Sequence, residues 1–384
     1  MSMPNELRGP LADVTVVELA GIGPGPYAGM VLADMGARVI RVDRVGGAVE
    51  LFPAPRSSQI HDRGKATVEI DLKAEEGRAV LLDLLRASDA LIEGFRPGVT
   101  ERLGVGPAEA LAVNPALVYG RVTGWGQSGP LASTAGHDID YIAVVGALGA
   151  IGGEDPEIPL NLVGDFGGGG MFLVCGLLAG VIAARSTGVG TVVDAAMVDG
   201  VAHLMAMMHG GRAGGWWRDG RRSNVLDGAA PFYAVYRTAD GKHMAVGALE
   251  PQFFAELISR LGLDEAWVTR QYDLSSWPEL HAELTAAFAR RGRAEWVDVF
   301  ADGDACVAPV MSMAEAVEHP HLRARSTFVE VDGVVQPAPA PRFSTFRPVE
   351  ANPVEPGTGT GSILSGVGFS ATRIAELKAS GVIG

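Results

Sequence analysis

Cysteine is nearly missing from this 384-residue chain: Cys175 and Cys306 are the two present, far apart in sequence. Neither a disulfide framework nor a cysteine-built metal cluster is implied by that count. Positive charge is also in deficit, with 31 lysines and arginines against 45 aspartates and glutamates and a formal net charge of -14. That balance argues against general nucleic-acid binding and against anionic membrane surfaces. It leaves a phosphate-bearing ligand open, because screening over about 8 Å makes nearby arginines decisive. An unbroken membrane-length run is lacking too. The longest uncharged stretch, Gly167 to Ala184, opens on four glycines and is interrupted by Gly176 and Gly180, which suits a buried core helix. The polar start MSMPNELRGP has no basic segment followed by an apolar core, so a cytoplasmic protein is expected. Histidines at metal-binding spacing are absent as well: His203 and His209 are badly spaced for one ion, and His319 and His321 flank a proline, so no metal site is expected.

What is present is a composition 47% hydrophobic and 20% charged, enough for two or three domains with substantial cores. The first half alternates strand and helix signals. Strands are predicted at Val14 to Leu19, Ala37 to Val42, Ala66 to Leu72, Ala90 to Glu93 and Ala116 to Thr123, with helices at Pro26 to Met35 and Ala74 to Ser88. This rhythm predicts an α/β fold, a parallel sheet with helices on both faces. Beyond a boundary near Gly228 the pattern changes. Phe232 to Thr238 and His243 to Ala248 flank an Asp240-Gly241 hairpin signal, and helices follow at Pro251 to Leu261, Trp277 to Arg290 and Arg293 to Ala301. The expected division is a large domain, 1–227, completed by 345–384, and a small α+β domain, 228–330, with 331–344 as a linker. Arg347 to Gly361 also reads as a linker, and a terminal helix at Ala371 to Ser380 is expected to pack on the first domain.

Asn161-Leu162-Val163-Gly164-Asp165-Phe166 and the four glycines after it place one acid in a glycine turn that opens into an apolar helix. Free N–H groups at a helix start bind a developing oxyanion, and glycines admit close approach to the backbone, which makes Asp165 the first catalytic candidate. A plain helix cap is the alternative. The turn Gly21 to Pro26 after the first strand resembles a dinucleotide loop, but its third glycine is missing and two prolines remove N–H donors. Asp43 sits where a ribose-binding acid belongs, flanked by Arg41 and Arg44, which favour phosphate. Arg44, Arg96 and Arg102 follow strand ends on the same half and are expected to converge on one polyanion.

The blocks LADVTVVELAGIGPGPYAGMVLADMGARVIRVDR, EGFRPGVTERLGVGP, GRVTGWGQSGP, AGHDIDY, NLVGDFGGGGMF, VVDAAMVDG, AVGALEPQFF and PAPAPRFS resemble the racemase branch of the class III CoA-transferase (CaiB/BaiF) family across nearly the whole chain. The segment Leu51 to Lys65 departs from the family pattern. The resemblance implies a Rossmann-like large domain built from both chain ends, a smaller domain and an interlocked homodimer. It implies an isomerase of lipid metabolism that interconverts (R)- and (S)-2-methylacyl-CoA thioesters by 1,1-proton transfer through an enolate. Neither metal nor organic cofactor is needed, since CoA is part of the acyl-CoA substrate. By the same resemblance His137, Asp165 and Glu250 are catalytic. CoA contacts carry over to Arg44, to Ile70, Asp71, Leu72 and Lys73, to Gly94, Phe95, Arg96 and Arg102, and to Gly136, Asp138, Ile139, Asp140 and Tyr141 beside the thioester.

The chemistry fits these residue types. Inverting a carbon next to a thioester carbonyl needs an acid on one face and a base on the other, and a donor for the enolate oxygen. His137 and Asp165 fit the first roles and the Asp165 N–H the last, while Glu250, just before Pro251, is suited to orient His137. Two alternatives remain at this stage: a class III CoA transferase with Asp165 as nucleophile, and an NAD-dependent oxidoreductase built on Gly21 to Pro26 and Asp43. Met205, Met207, Met208, Met311 and Met313 are expected as core residues, or else as an adaptable surface for bulky acyl chains.

Overall fold

The computed structural model of the protein describes residues 9–47, 58–346 and 359–384. The chain divides into two compact units, Met1–Val145 with Leu160–Leu204 and Ala324–Gly384, and Gly146–Pro159 with Met205–Arg323. The boundary expected at Gly228 therefore falls at Met205, and 331–344 belongs to the first unit instead of forming a linker.

In the first unit, Thr15–Leu19 (β1), Pro24–Asp34 (α1), Arg38–Asp43 (β2), Lys65–Glu69 (β3), Glu75–Arg86 (α2), Ala90–Glu93 (β4), Val99–Arg102 (α3), Pro107–Val113 (α4) and Val118–Thr123 (β5) follow one another. Asp138–Val144 (α5) comes next, then Ala147–Ala150 (α6) in the second unit. A π-helix, Val163–Met171, runs into Phe172–Thr187 (α7), followed by Thr191–Ala196 (β6) and Met197–Leu204 (α8). The six strands form one sheet in the order β3-β2-β1-β4-β5-β6, and every pairing is parallel. This is the expected α/β architecture, with the strand order of dinucleotide-binding sheets. Val80, Leu81, Leu84 and Leu85 of α2 pack on one face, and the buried residues of α1 and α7 pack on the other. Each such apolar side chain contributes about 1.5–3 kcal/mol by leaving water.

The helical stretch Leu160–Thr187 has the length and hydropathy of a membrane span. Its α7 part nevertheless lies on the sheet, because Gly176 and Gly180 leave room for β-branched neighbours. A Cβ at Gly176 would stand 2.6 Å from the Val193 side chain, and one at Gly180 would stand 2.7 Å from that of Val118. The interrupting glycines thus mark contact with strands.

The second unit holds Ala206–Ala213 (α9), Tyr233–Arg237 (β7), His243–Gly247 (β8), Pro251–Leu261 (α10), Trp277–Phe288 (α11), Arg293–Phe300 (α12), Val307–Pro309 (β9), Met313–Glu318 (α13) and Pro320–Ala324 (α14), which ends one residue into the first unit. Its sheet, β7-β8-β9, is antiparallel, and the Asp240-Gly241 turn closes the expected hairpin with Gly241 at φ 77°. Phe232, Tyr236, Phe254, Phe288 and Trp296 fill its core. The methionines expected there stand elsewhere: Met207 and Met313 are exposed, and Met205, Met208 and Met311 are half-buried.

Back in the first unit, Phe328–Val331 (β10) and Val334–Pro337 (β11) form a hairpin around Asp332-Gly333. Thr360–Gly366 (α15) and Ala371–Ala379 (α16) add Ile363, Leu364, Ile374 and Leu377 to the core on the α2 face. The isolated pairing of Ile70 with Ile383 fastens the chain end beside β3. Residues 51–57 of the Leu51 to Lys65 segment and 347–358 of the second expected linker lie outside the described residues.

Candidate active site

The turn after β1 leads to Asp165. Gly23 caps α1 at φ 68°, where an L side chain is strained, and a Cβ on it would lie 3.2 Å from Asp165 Oδ2. Pro24 and Tyr27 of α1 then pack on the π-helix. A Cβ at Gly169 would meet the Pro24 ring at 3.1 Å, and one at Gly170 would meet the Tyr27 ring at 2.6 Å. On the other side a Cβ at Gly168 would touch Val201 of α8 at 2.7 Å. Three of the four glycines expected to admit a second molecule are therefore filled by the protein's own helices. Gly23→Ala is expected to lower turnover by about tenfold to a hundredfold by displacing the Asp165 carboxylate, with substrate affinity little changed; steady-state kinetics check it.

Asp165 stands in the first turn of the π-helix, half-buried, and its Oδ2 accepts from Asn161 Nδ2 at 3.0 Å. Its backbone N–H donates to Asp138 Oδ1 at 2.7 Å. The expectation that this N–H serves an enolate oxygen is therefore corrected, because a buried carboxylate already holds it. Burial holds the Asp165 carboxyl above the usual carboxylate range, while the Asn161 amide and the His137 charge pull it back. Asp138 is also raised by burial, against donation from the Asp165 and Gly164 N–H groups.

His137 is exposed and caps α5, and its N–H donates to Asp140 Oδ2 at 2.9 Å. Asp140 thereby orients the backbone that carries the imidazole. Tyr141 is buried below, its hydroxyl donating to Gly136 O and its ring standing edge-on to Trp125 at 4.9 Å. Burial and the charges of Asp165 and Asp140 push that hydroxyl up to about 12. A Cβ at Gly124 would fall 1.9 Å from the Tyr141 ring, so only glycine fits there.

The residues expected to contact CoA divide by exposure. Arg44, Lys73, Gly94, Arg96 and Arg102 are exposed, and Phe95 is half-buried. Arg44 follows β2 and Arg96 follows β4, on either side of β1 at the carboxyl edge of the sheet. Arg41 points inward, paired with Asp43 at 2.8 Å and with Asp62. Asp43 is thus occupied by an ion pair, which removes the ribose-binding acid of the oxidoreductase alternative. Ile70 belongs to the core, and its N–H is already held by the Asp43 carbonyl at 2.9 Å. Asp71 Oδ1 accepts the Lys73 N–H at 3.0 Å, and Leu72 is half-buried against the core. Ile139 is exposed on the first turn of α5.

Glu250 caps α10 in the second unit. Gln271 Nε2 donates to the Ala248 and Leu249 carbonyls at 3.0 and 2.8 Å, and Tyr272 Oη donates to the Leu249 carbonyl at 2.6 Å. Burial and the Glu250 charge raise the Tyr272 hydroxyl. The structure thus brings together His137, Asp165, Asp138, Asp140 and Tyr141 within the first unit and builds a separate rigid support for Glu250 in the second. Sequence reasoning missed Asn161, Gly23 and the role of Asp138. The block from Asn161 to Asp165 contains the one local signal, an amide four residues before the acid on a helical turn.

The sequence profile of CoA-transferase family III matches residues 11–360. The chain is 43% identical over 379 residues to the alpha-methylacyl-CoA racemase of Mus musculus, covering 97% of each chain. It is 42% identical over 378 residues to the alpha-methylacyl-CoA racemase of Homo sapiens, again covering 97% of each. The fold superposes on a crystal structure of Rv3272 from M. tuberculosis with a TM-score of 0.78 and 28% identity, covering 93% of this chain and 99% of that one.

Proposed function

The chain belongs to CoA-transferase family III, and on that premise we propose that it interconverts (R)- and (S)-2-methylacyl-CoA thioesters by moving the C2 proton through an enolate. The observation that carries this reading is that Asp138, the residue after His137 at the start of α5, holds the Asp165 N–H at 2.7 Å, which ties a half-buried carboxyl to the turn that carries the imidazole. One removes the proton from one face of C2 and the other returns it on the opposite face. A raised carboxyl suits this exchange, because it gives and takes a proton more readily near neutral pH than an ordinary aspartate. A carboxylate nucleophile needs no second base, so the presence of His137 beside Asp165 favours proton transfer over thioester attack.

The enolate oxygen needs donors, and the Asp165 N–H is taken. The first N–H groups of α5, on Asp138 and Ile139, precede any intrahelical acceptor and adjoin His137, so they fill that role in this reading. Arg44, Arg96 and Arg102 take the CoA phosphates. In this reading the protein works as a cytoplasmic homodimer and needs no metal or organic cofactor. A single enantiomer of a 2-methylacyl-CoA, incubated with the protein alone, is expected to approach a mixture of both forms on chiral chromatography. Retention of the starting enantiomer would refute the proposal.

Asn161→Ala removes a donor that favours the charged Asp165, so the carboxyl rises further. The acid limb of the rate profile is expected to move to higher pH by about one pH unit, the worth of one hydrogen bond to a charged group. Measuring kcat against pH for both proteins checks the sign.

A further inference from the structure

Arg121 lies in β5 directly across from Glu93 in β4, and both are buried. Its Nε donates to Glu93 Oε1 at 2.7 Å and its Nη1 donates to Glu101 Oε1 at 2.7 Å. Nη2 reaches Glu101 Oε2 at 3.3 Å and Thr100 Oγ1 at 3.4 Å. Glu93 Oε2 in turn accepts the Phe95 N–H at 2.7 Å. One guanidinium therefore ties the entry of the 94–102 segment to its exit. Along this segment the chain turns at Gly98, φ 81°, and presents Arg96 and Arg102 to solvent.

We propose that Arg121 is a positioning residue for the phosphates of the CoA thioester, acting through Glu93 and Glu101 on the segment that carries Arg96 and Arg102. The inference rests on the reading of those two arginines as phosphate ligands. Two consequences follow from the geometry. The planar fork fixes both ends of a short loop at once, so the exposed arginines need little ordering when a phosphate arrives. It also occupies the Glu93 and Glu101 carboxylates, which stand close to them along the chain. Without it, Glu93 and Glu101 become competing acceptors for Arg96 and Arg102, and a phosphate must displace an internal ion pair.

Glu101 is the exposed member of the brace, so Glu101→Gln keeps the fold while weakening the exit tie. Arg121→Lys keeps the charge but cannot span both carboxylates. KM and kcat are measured for each variant with a 2-methylacyl-CoA and with the matching acyl-pantetheine, which lacks the phosphates and the adenosine. The expected result is a KM for the CoA thioester raised about fivefold in Glu101→Gln and about tenfold or more in Arg121→Lys, with kcat within about twofold and the acyl-pantetheine KM unchanged. Unchanged CoA-thioester KM in both variants, or a parallel rise with acyl-pantetheine, overturns the proposal. Failure of the underlying reading is separable: the unsubstituted protein would then show no preference for the CoA thioester over the pantetheine one.

Discussion

Asp165→Asn is expected to lower kcat for epimerisation by about 10²- to 10⁴-fold, the usual worth of a positioned acid or base, with KM changed little. The asparagine preserves shape and leaves the backbone bond to Asp138 intact, so the loss belongs to the proton-carrying oxygen. His137→Ala is expected to cost a similar factor. Inversion requires both groups, and so each variant should fail in both directions. Any residual exchange of the C2 hydrogen should be confined to the one enantiomer that faces the surviving base. Steady-state rates with each pure enantiomer check this, and a variant that still inverts at an unchanged rate contradicts the assignment.

Lys65→Met is expected to destabilise the protein by about 3–5 kcal/mol, since it leaves the Glu18 carboxylate buried without its counter-charge. Lys65 Nζ lies 2.9 and 2.7 Å from the Glu18 oxygens and donates to the Pro26 carbonyl at 2.9 Å, and both side chains are fully buried. Burial already raises Glu18 even with Lys65 present. Without the lysine the protonated acid is favoured further in the folded state, and the deficit grows as pH rises above the unfolded carboxylate value. It should therefore shrink on acidification, which urea unfolding at about pH 5 and about pH 8 reads directly. A double Glu18→Leu, Lys65→Met variant should recover most of the loss, except for about 1 kcal/mol from the bare Pro26 carbonyl. Because Pro26 belongs to the α1 turn that lies against Asp165, the single variant should also lose activity before it unfolds.

Elements with strong local signals were legible at their observed bounds. Ala90–Glu93 is an apolar run between turn residues, and Pro251–Leu261 starts on a proline and stops at Gly262, which has φ 67°. The strand β6 escaped because it is an edge strand whose residues Thr191, Val192 and Asp194 are exposed, so it lacks the buried run of its neighbours. The hairpin of β10 and β11 carries an Asp-Gly turn of the kind used elsewhere in the chain, but 331–344 was expected as a linker. At the site, Asp165 stood out by its glycine turn at a helix start, whereas His137 was reached through the family resemblance of the AGHDIDY block. What binds them was not visible, because Asp138 meets the Asp165 N–H across 27 residues of sequence. The inward turn of Arg41 was open to inference, since residues two apart in a strand share a face and Asp43 lies two positions on. The glycine run invited a ligand, whereas in space it admits α1 and α8.

Proton transfer at C2 between His137 and Asp165 is read out by following solvent deuterium into a 2-methylacyl-CoA of one configuration, with the protein and no second acid. One deuterium is expected at C2, gained as the opposite configuration appears, with the thioester intact throughout. An unlabelled C2, together with movement of CoA onto an added free carboxylate, would contradict it.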